Sequence, residues 1–256
     1  MDSESTNLGS IPSPAAMEII IKLLKLVRQK PAYFEDDLLT YHLCEFLRED
    51  RFKKSLDIAE KEGHFYLGMP ANWRKHVACW AADIGKKLDG DFVECGVAYA
   101  STSRVVMEYI DFKNLNKKFY LIDTYEGLDE RYLSLKDKFR NQSYKKIYTP
   151  NMYEFVEKAF KVFSNVIIIK GVVPEVLEQV RPEKVAYLHI DMNCVIPEIA
   201  AAEYFWNKMT SGAIVLLDDY GHKGYEEQHD AFDKFAKEKG VPILCLPTGQ
   251  GIIIKP

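Results

Sequence analysis

The sequence predicts an α/β protein. A doubly wound, seven-stranded and mostly parallel sheet ends in one antiparallel strand and is preceded by an N-terminal helical cap. Three observations lead there. From Asp91 onward, short apolar runs alternate with amphipathic segments, the texture of a parallel sheet covered by helices on both faces. The last two strand patterns, VPILCLP (241–247) and GIIIK (251–255), are separated only by Thr248, Gly249 and Gln250. That is too short for a parallel crossover, so the final strand must reverse. Before Asp91 the periodicity is helical and no strand pattern interrupts it.

Composition narrows the function classes. The chain of 256 residues is long enough for one large domain with a small appendage. A net charge of −4 lacks the basic excess that neutralises a phosphate backbone, which argues against a nucleic-acid partner. No stretch approaches the ~20 apolar residues of a membrane span. The opening MDSESTNLGSIPSPAAM has no positive region and does not read as a signal peptide. Five scattered cysteines (Cys44, Cys79, Cys95, Cys194 and Cys245), without Cys-x-x-Cys spacing, fit reduced, buried thiols in a cytoplasmic protein.

Taken in order, residues 1–16 are rich in Ser, Pro, Asn and Gly and are expected to be disordered. Met17 to Lys30 carries apolar residues at helical spacing, for a membrane surface or for docking on its own fold or a second subunit. With the helical patterns of 32–88 it makes 17–90 a cap or oligomerisation region. The unspent apolar faces suggest a homodimer or higher oligomer. The domain proper is 91–256. Its strands are read at DFVEC (91–95), KKFYLID (117–123), NVIIIKG (165–171), KVAYLHID (184–191), GAIVLLDD (212–219) and the closing pair. The intervening helices are STSRVVMEYIDF, NMYEFVEKAFKVF, PEVLEQV, PEIAAAEYFWNKM and GYEEQHDAFDKFAKEKG. A polar insertion at 125–150, with Tyr125, Tyr132, Tyr144 and Tyr148, reads as a lid or acceptor wall, or as packing for the cap.

Ligands of an open α/β sheet bind beyond the carboxyl ends of the strands, where strand order reverses. The first such end is Glu94-Cys95-Gly96-Val97-Ala98-Tyr99-Ala100-Ser101. Gly96 permits a tight turn and Ala100 is small enough for close approach. Ala98 and Ser101 stand where the later glycines of a dinucleotide fingerprint belong. Glu94 would repel a pyrophosphate but suits an ammonium or sulfonium, and S-adenosylmethionine carries both. Asp123, ending the second strand, can accept ribose hydroxyls or cap its own turn. Gly171, ending the third, leaves room for an adenine or makes a plain turn.

The fourth strand ends at Asp191 and the fifth at Asp218-Asp219. Neighbouring strands lie ~4.8 Å apart, so three carboxylates meet at one place. They cannot all stay ionised without a cation, and an all-oxygen set favours Mg²⁺, on which a substrate hydroxyl loses its proton more readily. His222 lies in the loop that follows and is a candidate general base; Asp191 is the competing one. His189 is read as a satisfied core histidine.

Together, DFVECGVAYASTS, LIDTYEGLD, HIDM and GAIVLLDDYG resemble the macrocin O-methyltransferase (TylF-like) family of class I S-adenosylmethionine-dependent methyltransferases, from about Gly68 to the C-terminus. The resemblance implies Mg²⁺-dependent methyl transfer to a hydroxyl of a small molecule, a sugar or glycosylated natural product. It implies cofactor contacts at Glu94, Gly96, Thr102, Ser103 and Asp123, and a metal on Asp191, Asp218 and Asp219. The chain departs from the family at several points. Ala100 and Ser101 stand where two glycines are common. Asp191-Met192-Asn193-Cys194-Val195 lacks the usual second acid and tyrosine, and Asp129 replaces a proline. Two other function classes compete: a metal-dependent hydrolase of a phosphate ester, and a catalytically silent cofactor-binding module.

Overall fold

The computed structural model describes residues 13–26, 30–65 and 70–256. The chain forms two compact units, Met1–Cys44 and Glu45–Pro256. The first holds helix α1 (Pro14–Leu26) and an antiparallel hairpin of β1 (Tyr33–Glu35) and β2 (Leu38–Thr40). The hairpin departs from the expectation that no strand pattern interrupts the helical patterns and short breaks of 32–88. Its two-residue loop is Asp36-Asp37, with φ of 51° and 57°, the left-handed pair that a tight hairpin demands and that Asp tolerates. Three-residue strands are too short to show alternation in a sequence. Of the expected disordered tail, 1–12 lie outside the described residues, and Pro14 to Ala16 open α1.

The second unit begins with helices α2 (Asp50–Lys61) and α3 (Asn72–Gly85), which pack on α4 (Ser101–Ile110). Strands β3 (Asp91–Cys95), β4 (Phe119–Asp123), β5 (Val166–Lys170), β6 (Val185–Ile190), β7 (Met209–Leu217), β8 (Leu244–Cys245) and β9 (Gly251–Ile254) build one sheet in the order β5-β4-β3-β6-β7-β9-β8. β3 to β7 are parallel, and β9 is antiparallel to both its neighbours, as the short 248–250 connection requires. The remaining helices are α5 (Leu135–Ile147), α6 (Met152–Phe160), α7 (Val195–Trp206) and α8 (Glu226–Lys239). The PEVLEQV segment forms only a 3-10 turn, and half of 125–150 is α5.

Period-two alternation sorts the side chains onto two buried faces. On one, Phe92 meets Phe112, Phe119 and Tyr187 at centroid distances of 5.3, 5.6 and 5.1 Å. Here α3 presses on β6, since a Cβ on Gly85 would lie 2.7 Å from the Ala186 carbonyl. On the other face Val93, Leu188, Val215 and Ile253 pack with Phe205, Trp206 and Phe232 of α7 and α8. Strand order reverses between β3 and β6, which places a crevice at their carboxyl ends. All five cysteines are free thiols, four buried and Cys245 exposed. Among the described residues no helix is long and apolar enough to cross a membrane.

α3 also carries His76, stacked on Phe46 at 4.2 Å between ring centroids. Burial lowers its pKa against a smaller upward pull from Glu49. The folded state therefore resists protonation more than the unfolded chain, whose imidazole titrates near ~6.5. The stability this supplies is complete above that value and is lost as pH falls through the folded pKa. In His76→Phe, the drop in urea midpoint between pH 7 and pH 5 should be smaller than in the parent protein.

Candidate active site

Parallel pairing sets the geometry. Cys95, Ile190 and Leu217 are in register across β3, β6 and β7, so Gly96, Asp191 and Asp218 leave three adjacent strand ends together. Gly96 adopts φ +89°, and a Cβ there would fall 1.7 Å from the Asp191 carbonyl oxygen. Only glycine lets the first turn lie this close to the end of β6. Ala98 and Ala100 continue the turn with φ of 46° and 57°, a conformation that disfavours alanine.

Asp123 ties this turn to β4. Its Oδ2 accepts hydrogen bonds from the amides of Val97 (2.6 Å) and Ala98 (2.8 Å), and its Oδ1 from the amide of Tyr125 (2.6 Å). Burial raises its pKa, opposed by those backbone bonds. The turn-capping role is therefore filled, and the same residue still borders a cavity. That cavity encloses about 550 Å³, part of it open to solvent. Its walls include Gly96, Asp123, Gly171 and Asp191, from the ends of four strands, with Tyr148 of the insertion.

Glu94 and Ser103 are both buried, and the Ser103 hydroxyl donates to Glu94 Oε2 at 2.5 Å. Neither they nor Ala100 and Thr102 line the cavity; Thr102 is partly buried in the first turn of α4. His189, read as a satisfied core histidine, is in the core, but neither ring nitrogen has a hydrogen-bond partner among the described residues. It is fully buried between two carboxylates, with Nδ1 3.3 Å from Glu94 Oε1 and Nε2 3.6 Å from Asp218 Oδ1. Burial disfavours its charge, but Glu94 above all outweighs that and raises its pKa. The register explains the pair: Glu94 and His189 are opposed on neighbouring strands.

His189, Asp191 and Asp218 offer ligand atoms within 4.8 Å of one another. Burial, reinforced by Asp219, raises the pKa of Asp191. The Asp219 Oδ2 is buried without a hydrogen-bond partner among the described residues. A donor set of this kind fits a divalent cation. Sequence reasoning missed three groups here: two hold the acids, and the third, Glu198, adds to their negative charge. Arg74 bonds Asp218 through Nε (3.3 Å) and Nη2, and its Nη2 lies 3.5 Å from Asp219 Oδ1. Gln250 donates from Nε2 to Asp218 Oδ1 at 3.0 Å. Glu198 is buried at the start of α7, where burial and then Asp219 and Asp191 raise its pKa well above the ordinary range. Neither Arg74 nor Gln250 lies in a motif; both arrive from distant sequence.

His222 shares the loop after β7. Its amide bonds the Asp219 carbonyl at 3.2 Å, its ring lies against Gly249, and its Nε2 is buried without a hydrogen-bond partner among the described residues. Asn193, at the expected second acid, donates to Asp191 Oδ1 (3.3 Å) and accepts from the Tyr225 hydroxyl (2.9 Å). Of the insertion tyrosines, Tyr125 is buried and Tyr132 donates to Glu175 at 2.7 Å; the Tyr144 side chain lies outside the described residues.

The macrocin-O-methyltransferase (TylF) family profile matches residues 71–244. The chain belongs to this family. It is an S-adenosylmethionine-dependent O-methyltransferase with the family's Rossmann-like sheet. No curated protein matches it in sequence. Among solved structures it is similar to the O-methyltransferase NovP (15% identity, TM-score 0.62, covering 93% of this chain and 97% of that one). It is also similar to CalS11, a calicheamicin methyltransferase (16%, 0.54, 99% and 98%). A third is PaMTH1 of Podospora anserina, a methyltransferase solved with S-adenosylhomocysteine bound (13%, 0.50, 97% and 100%). Membership in the TylF family removes the ground for a phosphate-ester hydrolase.

The turn geometry makes a two-sided prediction. Gly96→Ala should destabilise the protein by more than about 3 kcal/mol or prevent folding, because a side chain would collide with backbone in a conformation that already disfavours it. Ala98→Gly should stabilise it by up to about 1 kcal/mol, relieving a left-handed alanine. Chemical denaturation of both variants checks the pair.

Proposed function

We propose that the protein methylates a hydroxyl of a sugar or glycosylated natural product, with Mg²⁺ at the acidic strand ends. The observation that carries this reading is the position of Asp191. It lines the cavity and also belongs to the cluster with His189 and Asp218, so one side chain joins the donor pocket to the acidic site.

On the donor side, Gly96 and Gly171 would admit the cofactor, and Asp123 would face its ribose while holding the turn amides in place. The N-terminus of α4 offers backbone N–H groups to a carboxylate. When bound, the cofactor supplies an electrophilic methyl group. On the acceptor side, Asp191, Asp218 and Asp219 would hold a divalent cation, whose charge would favour loss of a proton from an acceptor hydroxyl. Asp191 is the proposed proton acceptor, since of Asp191, Asp218 and Asp219 it is the one that borders the cavity; His222 is the alternative. Tyr148 gives the cavity an aromatic wall suited to a sugar face. Positioning supplies most of the rate, as aligned reactants gain ~7–11 kcal/mol over a bimolecular encounter.

Two variants separate the halves of the site. Asp123→Ala should weaken binding of S-adenosylhomocysteine by about tenfold or more, losing ligand contact and turn bonds together. Asp218→Asn should leave that affinity within about threefold and lower single-turnover methyl transfer by about 100-fold. Titration calorimetry and transfer of labelled methyl measure the two effects. Equal loss of cofactor in both variants would refute the division, and binding without turnover on any acceptor would favour the silent module.

A further inference from the structure

Arg74 sits where a metal's charge would. α3, pressed onto β6 at Gly85, presents Arg74 at the strand ends. Its Nη2 reaches Asp218 Oδ2, the Asp218 carbonyl at 3.3 Å, and Asp219 Oδ1 at 3.5 Å, while Nε reaches Asp218 Oδ1 at 3.3 Å. The side chains are 19%, 10% and 9% exposed, so solvent screens the pair only weakly. Gln250 clips both ends of the arrangement. Its Nε2 donates to Asp218 Oδ1 at 3.0 Å and to the Arg74 carbonyl at 3.4 Å, and its Oε1 accepts from Thr248 Oγ1 at 3.0 Å.

Arg74 engages both carboxylate oxygens of Asp218, the ones a divalent cation would need on that member of the cluster, and on Asp219 it engages Oδ1 while Oδ2 has no hydrogen-bond partner among the described residues. A guanidinium bonded along their lone pairs and a cation coordinated to them exclude one another, by occupancy and by like charge. We propose that Arg74 is a resident counter-cation of Asp218 and Asp219 that a divalent metal must displace, so that this arginine sets the metal affinity of the site. The inference rests on the proposed metal reading of the acidic cluster. Arg74 keeps two adjacent carboxylates together when no metal is bound. It also lowers the apparent metal affinity by the fraction of molecules in which it has released them.

The test uses Mn²⁺ as the probe, followed through the paramagnetic resonance of the free ion, on the full chain and its Arg74→Met and Asp218→Asn variants. Arg74→Met should bind Mn²⁺ about tenfold more tightly than the parent, and Asp218→Asn should lose binding. A second measurement needs no variant at Arg74. Modification of Arg74 by phenylglyoxal, read by peptide mass spectrometry, should increase when Mn²⁺ saturates the parent protein. Asp218-dependent binding that is unchanged or weaker in Arg74→Met overturns this proposal alone, as does unchanged reactivity of Arg74 at saturation. Absence of Mn²⁺ binding in both the parent and Arg74→Met overturns it together with the metal reading beneath it.

Discussion

The mouth of the sheet carries more acid than a buried site tolerates without cations, and the local structure is arranged around that excess. Glu94, Asp218, Asp219 and Glu198 are all buried, and Asp191 stands among them. Burial first, and then charge of the same sign close by, raises the pKa of Asp191 and Glu198. Positive charge comes from two directions. Arg74 reaches in from α3 onto Asp218 and Asp219, and His189 lies in the sheet between Glu94 and Asp218. The backbone contributes at Glu198, whose carboxyl takes bonds from the Cys194 and Asn193 amides at the start of α7.

The proposed donor half of the site follows a different principle. It is made mainly of backbone held close to backbone. Gly96 lies against the Asp191 carbonyl, and Asp123 gathers three turn amides. A pocket assembled this way depends little on side-chain identity beyond a glycine and a carboxylate. The fold itself is shared with NovP at 15% identity. Backbone held this close accounts for the alanines at 98 and 100: the turn keeps its left-handed path although these residues do not favour it.

The expected departures from the family pattern fall more on the proposed acceptor side than on the cofactor side, and those on the acceptor side interlock. Asn193 replaces an expected acid and bonds Asp191, while the Tyr225 hydroxyl bonds Asn193 from the segment leading into α8. An amide both donates and accepts, so it can connect the loops after β6 and β7 where a second carboxylate would add to the negative charge. Cys194 donates to the Tyr132 carbonyl at 3.0 Å, fastening the 125–150 insertion to the start of α7. The insertion and the two loops thus share hydrogen bonds around the cavity edge.

Local pattern alone determined the sheet, its closing reversal and the residues at its carboxyl ends. Strand periodicity and a three-residue connection are properties of short segments, and Gly96, Asp123, Gly171 and Asp191 fall where four strands stop. The 33–40 hairpin escaped because three-residue strands leave no period to detect. The partners of the acids escaped for another reason. Arg74 and Gln250 are 144 and 32 residues from Asp218, and no spacing rule links them. His189 reads as a satisfied core histidine because it alternates inward on a buried strand, and only register opposed it to Glu94. Charge neutralisation in a buried site is settled by whatever the fold brings within a few ångströms. Tertiary packing therefore decided it, where sequence could name the acids but not the cations facing them.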